Sequence, residues 1–199
     1  MAVLYLLFGK RLLDIILAGI ATILLSPFFL FVSVVIKITD PGPIFFSQRR
    51  ITKGKNHFQI LKFRTMKTSA PKDCPTHLLK NPDEFITPIG RFLRKTSLDE
   101  LPQLFNILAG DMSIVGPRPA LWNQFDLIEQ RDFYKANDIL PGLTGWAQIN
   151  GRDELPIDIK AKLDGYYVEH CSLMTDLSII LRTALAVFFA KGVQEGARD

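Results

Sequence analysis

The sequence predicts an α+β fold, mostly helical with a small β-hairpin or sheet, carried by an N-terminal helix-break-helix that enters and leaves a membrane on one face. Three observations predict it. Residues Ile15 to Ile36 form 22 positions without a charge, interrupted at Ser26-Pro27. A single β-rich region, residues 44–63, has a polar tip in its middle. After Pro88 the apolar residues recur at helical spacing between Gly and Pro stops. The 199 residues allow one ordinary domain with a real core, and no repeat is visible. We divide the chain into a re-entrant membrane segment, 1–38, with a basic N-terminal flank, and an interface-associated domain, 39–199, acting as one functional unit.

At 1.5 Å per residue the apolar run is long enough to cross a hydrocarbon core of about 30 Å. Two features argue against a straight crossing. Lys10-Arg11 flank one end and Lys37 with Arg49-Arg50 follow the other, so both ends read as cytoplasmic. Pro27 lacks an N–H and bends the chain, so each half, Ile15 to Leu25 and Phe28 to Ile36, spans about half a bilayer. The carbonyl that Pro27 frees needs a donor at that depth, and the Ser26 hydroxyl supplies one. A kinked helix that crosses is the competing reading. A cleavable signal peptide fits less well, because the apolar run continues past any plausible cleavage point.

Asp40 to Pro43 reads as a turn, followed by short strands at Ile44 to Phe46 and Phe58 to Phe63 with Lys53 to Asn56 at the hairpin tip. The hairpin brings Lys62 and Arg64 to one end of the sheet, on the same face by the two-residue period. Pro41 to Lys72 holds eight Lys or Arg and no Asp or Glu. With a net charge of only +4, this is a local basic face, suited to anionic lipid headgroups or a nucleotide pyrophosphate, and on charge alone also to nucleic acid. Ser69 to Thr87, rich in Pro, Lys and Thr, reads as a mobile loop. Pro88 to Lys95 is a short basic helix with Ile89, Phe92 and Leu93 on one side and Arg91, Arg94 and Lys95 forming a cationic edge.

That edge leads into Thr96 to Pro119, the candidate reaction centre. Asp99 and Glu100 lie just ahead of Leu101-Pro102, where a helix begins, and Gly110 ends it. Ser97 with Glu100 also fits a capping box, but Ser97 as N-cap would put Pro102 at the fifth helical position, where its missing N–H removes a needed bond. Gly116 to Pro119 follows as a stiff loop bearing one guanidinium, Arg118.

Leu121 to Asn137 reads as a helix of mixed face. Pro141 to Arg152 packs four turn formers and four polar side chains into twelve residues. As a loop it suits a nucleotide or phosphate through Gln148 and Arg152, with its glycines admitting close backbone approach, or it is a structural turn. Trp146 there reads as a core residue or interfacial anchor. Leu163 to Lys191 reads as one helical region. Asp176 and Arg182 within its apolar part suit an amphipathic helix rather than a second span. Asp164 and Asp176 are candidate site residues, and Asp176 also fits a helix N-cap or first-turn acid. Cys74 and Cys171 form neither a disulfide framework nor a metal spacing, which fits a reducing compartment.

Taken in order, these motifs resemble the small monotopic phosphoglycosyl transferases of the bacterial sugar transferase family. The resemblance rests on Lys10-Arg11 with Asp14, Ser26-Pro27, Lys62 to Met66, Ser97 to Gln103, Gly110 to Ser113, Gly116 to Pro119, Pro141 to Gly145 and Gln148 to Arg152, and covers nearly the whole chain. The family's four-helix membrane extension is not seen, which implies the minimal catalytic form. The resemblance implies Asp99 as nucleophile and Glu100 as its metal-binding partner, with Mg²⁺ held by the dyad. It also implies a UDP-sugar donor, a polyprenyl (undecaprenyl) phosphate acceptor, membrane lipids as surroundings, no nucleic acid, and a place on the cytoplasmic face of the bacterial inner membrane. Lys62, Arg64, Arg118, Gln148, Arg152, Asp164 and Asp176 are then the candidate substrate-binding residues. The competing class is a non-enzymatic membrane-surface adaptor with a basic lipid- or partner-binding domain.

Overall fold

The computed structural model describes residues 5, 9–70, 84–151 and 155–188. Most of the expected loop between Ser69 and Thr87, and Arg152, lie outside the described residues. Helices α1 (Lys10–Leu24) and α2 (Ser26–Thr39) meet at an angle of 59°. The cause of the bend is local. In a continuous helix the N–H of residue 27 would bond to the Ile23 carbonyl, and Pro27 has none to give. The Ser26 hydroxyl donates to that carbonyl instead, at 2.8 Å. Among the described residues no single helix is long and apolar enough to cross a membrane, and α1 and α2 reach that length only as a bent pair.

The inner faces of this pair are part of the main core. Ala18, Phe29, Val32 and Ile36 pack in one buried cluster with Phe58, Ile60, Phe63, Leu93, Leu104, Ile107 and Met112. Burying each large side chain contributes about 1.5–3 kcal/mol, so the pair is a wall of the domain rather than a tether. The outer faces stay open, with Ile23 at 74% and Ile38 at 76% exposure.

The hairpin forms as expected but with a longer first strand: β1 (Phe45–Ile51) pairs antiparallel with β2 (His57–Phe63), from Phe45 opposite Phe63 to Ile51 opposite His57. Gly54, at φ 69°, turns the tip. Helix α3 (Pro88–Lys95) has the predicted bounds, with Pro88 at its first position and the Thr87 hydroxyl accepting from Gly90 N at 3.0 Å. A 3₁₀ turn, Leu98–Glu100, leads into α4 (Gln103–Ala109), which Gly110 ends in the left-handed conformation, φ 100°.

Downstream the expectations need three corrections. The helix expected over Leu121 to Asn137 is only α5 (Phe125–Phe133), because Lys135 at φ 55° turns the chain and the Asn137 amide folds back onto Ile128 O at 2.8 Å. The single helical region expected from Leu163 is two helices, α7 (Ile157–Glu169) and α8 (Leu173–Phe188), parted because the Ser172 hydroxyl accepts from Thr175 N and starts a new helix. The third concerns Pro141 to Arg152, which is not an open ligand loop. It builds β4 (Gly142–Thr144), parallel to β3 (Ser113–Val115), and then the short helix α6 (Trp146–Ile149).

Gly142 and Gly145 of that segment admit backbone rather than ligand. A Cβ on Gly145 would stand 2.1 Å from Gly116 O, and one on Gly142 would stand 2.1 Å from Gly116 N. Gly116 N donates to Thr144 O at 2.9 Å and Gly142 N to Pro117 O at 2.8 Å. Only side-chain-free positions let these two segments close on each other, and their closure fixes the Gly116 to Pro119 loop.

Gly145→Ala is therefore expected to cost about 2 kcal/mol as an overpacked backbone contact, lowering the Tm by roughly 4–8 °C in a thermal unfolding scan. Gly19→Ala, where nothing lies within 4 Å of the new Cβ, should leave the midpoint unchanged or higher.

Candidate active site

Ser97 opens the site. Its backbone takes a left-handed conformation, φ 56° and ψ 16°, unusual for a residue with a side chain, and its hydroxyl caps nothing. The capping box is thus not formed. The left-handed residue breaks the run of α3 and turns Asp99 and Glu100 into the space beside β2, while Leu98 O, the carbonyl Pro102 cannot serve, accepts Leu101 N at 3.3 Å.

Glu100 is clamped from two sides. Lys62 Nζ donates to its Oε1 at 2.7 Å. The Arg118 guanidinium forks across the same carboxylate, Nη2 to Oε1 at 2.8 Å and Nη1 to Oε2 at 3.2 Å. Burial alone would raise the Glu100 carboxyl, but the charges and hydrogen bonds of Arg118 and Lys62 outweigh it and hold the group well below the usual carboxylate range. Asp99 is its opposite. No hydrogen bond or ion pair holds its carboxyl among the described residues, and burial, then the neighbouring Glu100 charge, push it up from 3.8 to about 6 against the pull of Lys62, Arg94 and Arg118. Two adjacent carboxylates thus sit in opposite states. One is anchored and ionised; the other is bare and poised near neutrality.

Of the candidate residues, the structure brings Asp99, Glu100, Lys62 and Arg118 together. Arg94, from the cationic edge of α3, joins them with its Nε donating to Thr65 Oγ1 at 2.8 Å. The expectation that Arg64 accompanies Lys62 is corrected: Arg64 lies one residue past β2, is buried, and turns its guanidinium to Asp40 in the preceding turn, reaching Asp40 O with Nη2 and Oδ2 with Nη1 at 3.3 Å. Gln148 donates to Leu143 O at 3.1 Å within its own segment. Trp146 stacks on Tyr166 at 5.1 Å between centroids and carries Arg182 over its ring at 5.7 Å, the packing of an anchor.

Asp164 and Asp176 lie buried, each on partners of its own. Both N–H groups of the buried Arg131 fork that reach Asp164 fall on Oδ2, at 2.8 and 2.6 Å. Asp176 does lie in the first turn of α8, but its carboxylate points inward and gathers Tyr5 OH at 2.5 Å, Lys10 Nζ at 2.7 Å and Tyr167 OH at 2.7 Å. Lys10 and Arg11, read from sequence as flanking charges, are docking groups. Arg11 caps the end of α4, donating to Ile107 O at 2.7 Å and Leu108 O at 3.1 Å, and Asp14 accepts from Ile114 N at 2.9 Å. Sequence reasoning missed these partnerships, although an acid at the edge of an apolar run was a signal that Asp14 is buried against a specific donor.

Set beside known proteins, a chain with this mostly helical α+β fold and clamped carboxylate dyad belongs to the bacterial sugar transferase family, whose description matches residues 5–190. It is 39% identical over 199 residues to the exopolysaccharide production protein ExoY of Sinorhizobium fredii, covering 92% of this chain and 87% of that one. It is 40% identical to the UDP-glucose:undecaprenyl-phosphate glucose-1-phosphate transferase of Xanthomonas campestris pv. campestris, covering 94% of this chain and 40% of that one. The UDP-N-acetylgalactosamine-undecaprenyl-phosphate N-acetylgalactosaminephosphotransferase of Aeromonas hydrophila is 38% identical, with 94% and 45% covered. The chain thus spans less than half the length of these two named transferases.

The raised Asp99 carboxyl has a consequence for stability. The folded protein keeps this proton up to about pH 6, whereas the unfolded chain releases it near 3.8, so Asp99 weakens the fold increasingly as pH rises through that window. Asp99→Asn, which mimics the neutral acid, should be as stable as the native protein near pH 4. At pH 7.5 without divalent metal it should gain about 1 kcal/mol, a Tm higher by about 2–4 °C.

Proposed function

We propose that this protein moves a phosphosugar from a UDP-sugar to polyprenyl phosphate through a covalent intermediate on Asp99, as the first membrane step of a glycan or glycoconjugate assembly. The observation that carries the reading is the asymmetry of the dyad, a bare Asp99 carboxyl beside a Glu100 held by Lys62 and Arg118. A nucleophile must be free to attack, and its partner must be fixed. The names of the related transferases, which pair UDP-sugars with undecaprenyl phosphate, support the choice of donor and acceptor.

In this mechanism an Asp99 carboxylate oxygen attacks the phosphorus that bears the sugar. A bond forms between that oxygen and phosphorus, the pyrophosphate bond breaks, and UMP leaves with its electron pair. The polyprenyl phosphate oxygen then attacks the same phosphorus, breaking the acyl phosphate and restoring Asp99. Splitting the transfer lets one small site serve a water-soluble donor and a membrane-held acceptor in turn. Arg118 and Lys62 are placed to share their positive charge with incoming phosphate oxygens, and Arg94 adds to that field.

The residues fit Mg²⁺ in a sparse form. Among the described residues no cluster of three or more His, Cys, Asp or Glu stands ready for a metal. The dyad offers two hard donors, the unpartnered Asp99 carboxyl and the Glu100 Oε2, whose contact with Arg118 at 3.2 Å leaves a lone pair open. That suits an ion which takes one or two carboxylates and completes its shell from water and substrate phosphates, and which when bound offsets pyrophosphate charge.

For the setting, we propose a monotopic protein at the cytoplasmic face of the bacterial inner membrane, with α1 and α2 as a re-entrant pair. The open apolar outer faces, with Leu12, Ile16, Ile20, Ile23, Leu24, Leu30, Phe31 and Ile38 exposed, support it. Ala2→Cys and Lys53→Cys, made separately in a Cys74→Ser, Cys171→Ser background, should both be shielded from an impermeant thiol reagent outside intact cells. Labelling at residue 2 alone would mean that the pair crosses.

The reaction is tested without acceptor. Enzyme given UDP-sugar and Mg²⁺ should release UMP in an amount matching the enzyme and then stall, with a phosphosugar adduct on the peptide containing Asp99. Asp99→Asn should abolish both, and Arg118→Lys should slow the burst at least about tenfold, because it keeps the charge but loses the fork. UMP appearing only with polyprenyl phosphate, and no adduct, would reassign Asp99.

A further inference from the structure

Lys62 reaches Glu100 from a strand that is docked against the helix that follows the dyad. The β1–β2 sheet has two strands, so one edge of β2 is unpaired by strand. The side chain of Asn106, buried in the middle of α4, makes two bonds to that edge, Nδ2 donating to Gln59 O at 2.8 Å and Oδ1 accepting from Leu61 N at 2.9 Å, and Nδ2 also donates to Asp111 Oδ2 at 3.4 Å. The two edge bonds are the pattern one peptide unit of a third strand would make. Lys62 follows immediately, opposite Phe46 of β1. Asn106 is itself immobilised, since its carbonyl accepts from Gly110 N at 3.1 Å and Asp111 N at 3.0 Å where α4 ends.

We infer that Asn106 is a positioning residue: its carboxamide stands in for a third strand at the free edge of β2 and so sets the Lys62 ammonium against Glu100. The inference rests on the reaction proposed above. Among the described residues the Asn106 side chain makes the polar bonds between α4 and β2, while Leu104 and Ile107 share an apolar cluster with Ile60 and Phe63, and apolar packing is non-directional. A polar pair of fixed length is directional. An α4 that merely packed on β2 would leave the Lys62 ammonium free to leave the carboxylate.

The test is a double-mutant cycle on the full chain, read as kcat/KM for UMP release from a UDP-sugar. Asn106→Ala should lower it about tenfold in the native background and about twofold or less in Lys62→Met, because the positioned group is then already gone. Ile60→Val, a β2 core change with a comparable effect on Tm, should lose equally in both backgrounds. Equal losses for Asn106→Ala in the two backgrounds would overturn the inference. Asn106→Ser, which keeps a neutral polar group without placing a second charge beside Asp111, gives the same cycle if the alanine variant does not fold, and failure of both to fold would assign Asn106 to stability alone. An unchanged rate in Lys62→Met by itself would remove Lys62 from the reaction centre, and the role of Asn106 with it, while leaving the Asp99 adduct to stand or fall on its own assay.

Discussion

The clamp on Glu100 is the constraint to which the surrounding structure answers. A half-buried carboxylate is tolerable only if its charge is matched and its lone pairs are filled, and here that requires an ammonium from β2 and a guanidinium from the loop after β3 to converge on one turn. Each of the three carriers is held by a separate device. The turn is aimed by left-handed Ser97, the loop is backed by the Gly116, Gly142 and Gly145 contacts, and the strand is held by the Asn106 carboxamide. Asp99, one residue away, is left without such support, and the contrast in chemistry between the two acids comes from that difference in neighbours rather than from their own nature.

Much of this was legible from sequence where the cause is local. The Ser26-Pro27 break, the bounds of α3, the stop at Gly110 and the hairpin all follow from a missing N–H, a cap, a left-handed glycine or a two-residue period. The dyad was legible in part for the same reason, since Pro102 weakens the capping box within six residues of chain, and its roles came from the family resemblance. What did not show was partnership across distance. An aspartate in a helix reads alike whether it faces water or, like Asp164, an arginine 33 residues earlier. Arg64 and Lys62 share a strand period, yet the chain leaves β2 between them and the turn at Asp40 captures the arginine. Gly142 and Gly145 signalled close approach correctly, but not that the approaching object was the protein's own backbone.

The first two helices are joined to the rest by polar contacts as much as by packing. Lys10, Arg11 and Asp14 reach α8, α4 and β3 respectively, so the base of α1 touches three elements of the domain through charged or backbone hydrogen bonds. Arg11 holds one end of α4 while the dyad lies ahead of the other. Through Arg11, α1 is thus bonded directly to the helix that follows the dyad.

Those same contacts bear on how the protein is made. The bond from Lys10 to Asp176 spans 166 residues of sequence and that from Asp14 to Ile114 spans 100. At ribosomal rates of about 5–20 residues per second, Asp176 emerges roughly 8–33 seconds after Lys10. The inner wall, from Phe58 to Met112, and the α4 carbonyls that take Arg11 emerge within about 100 residues of α1, whereas Lys10 waits the whole interval for its carboxylate. Until that wall has been made, nascent α1 and α2 expose apolar surface on every side next to the charges of Lys10 and Arg11. The order of synthesis thus places the Lys10 to Asp176 bond among the last long-range contacts to form.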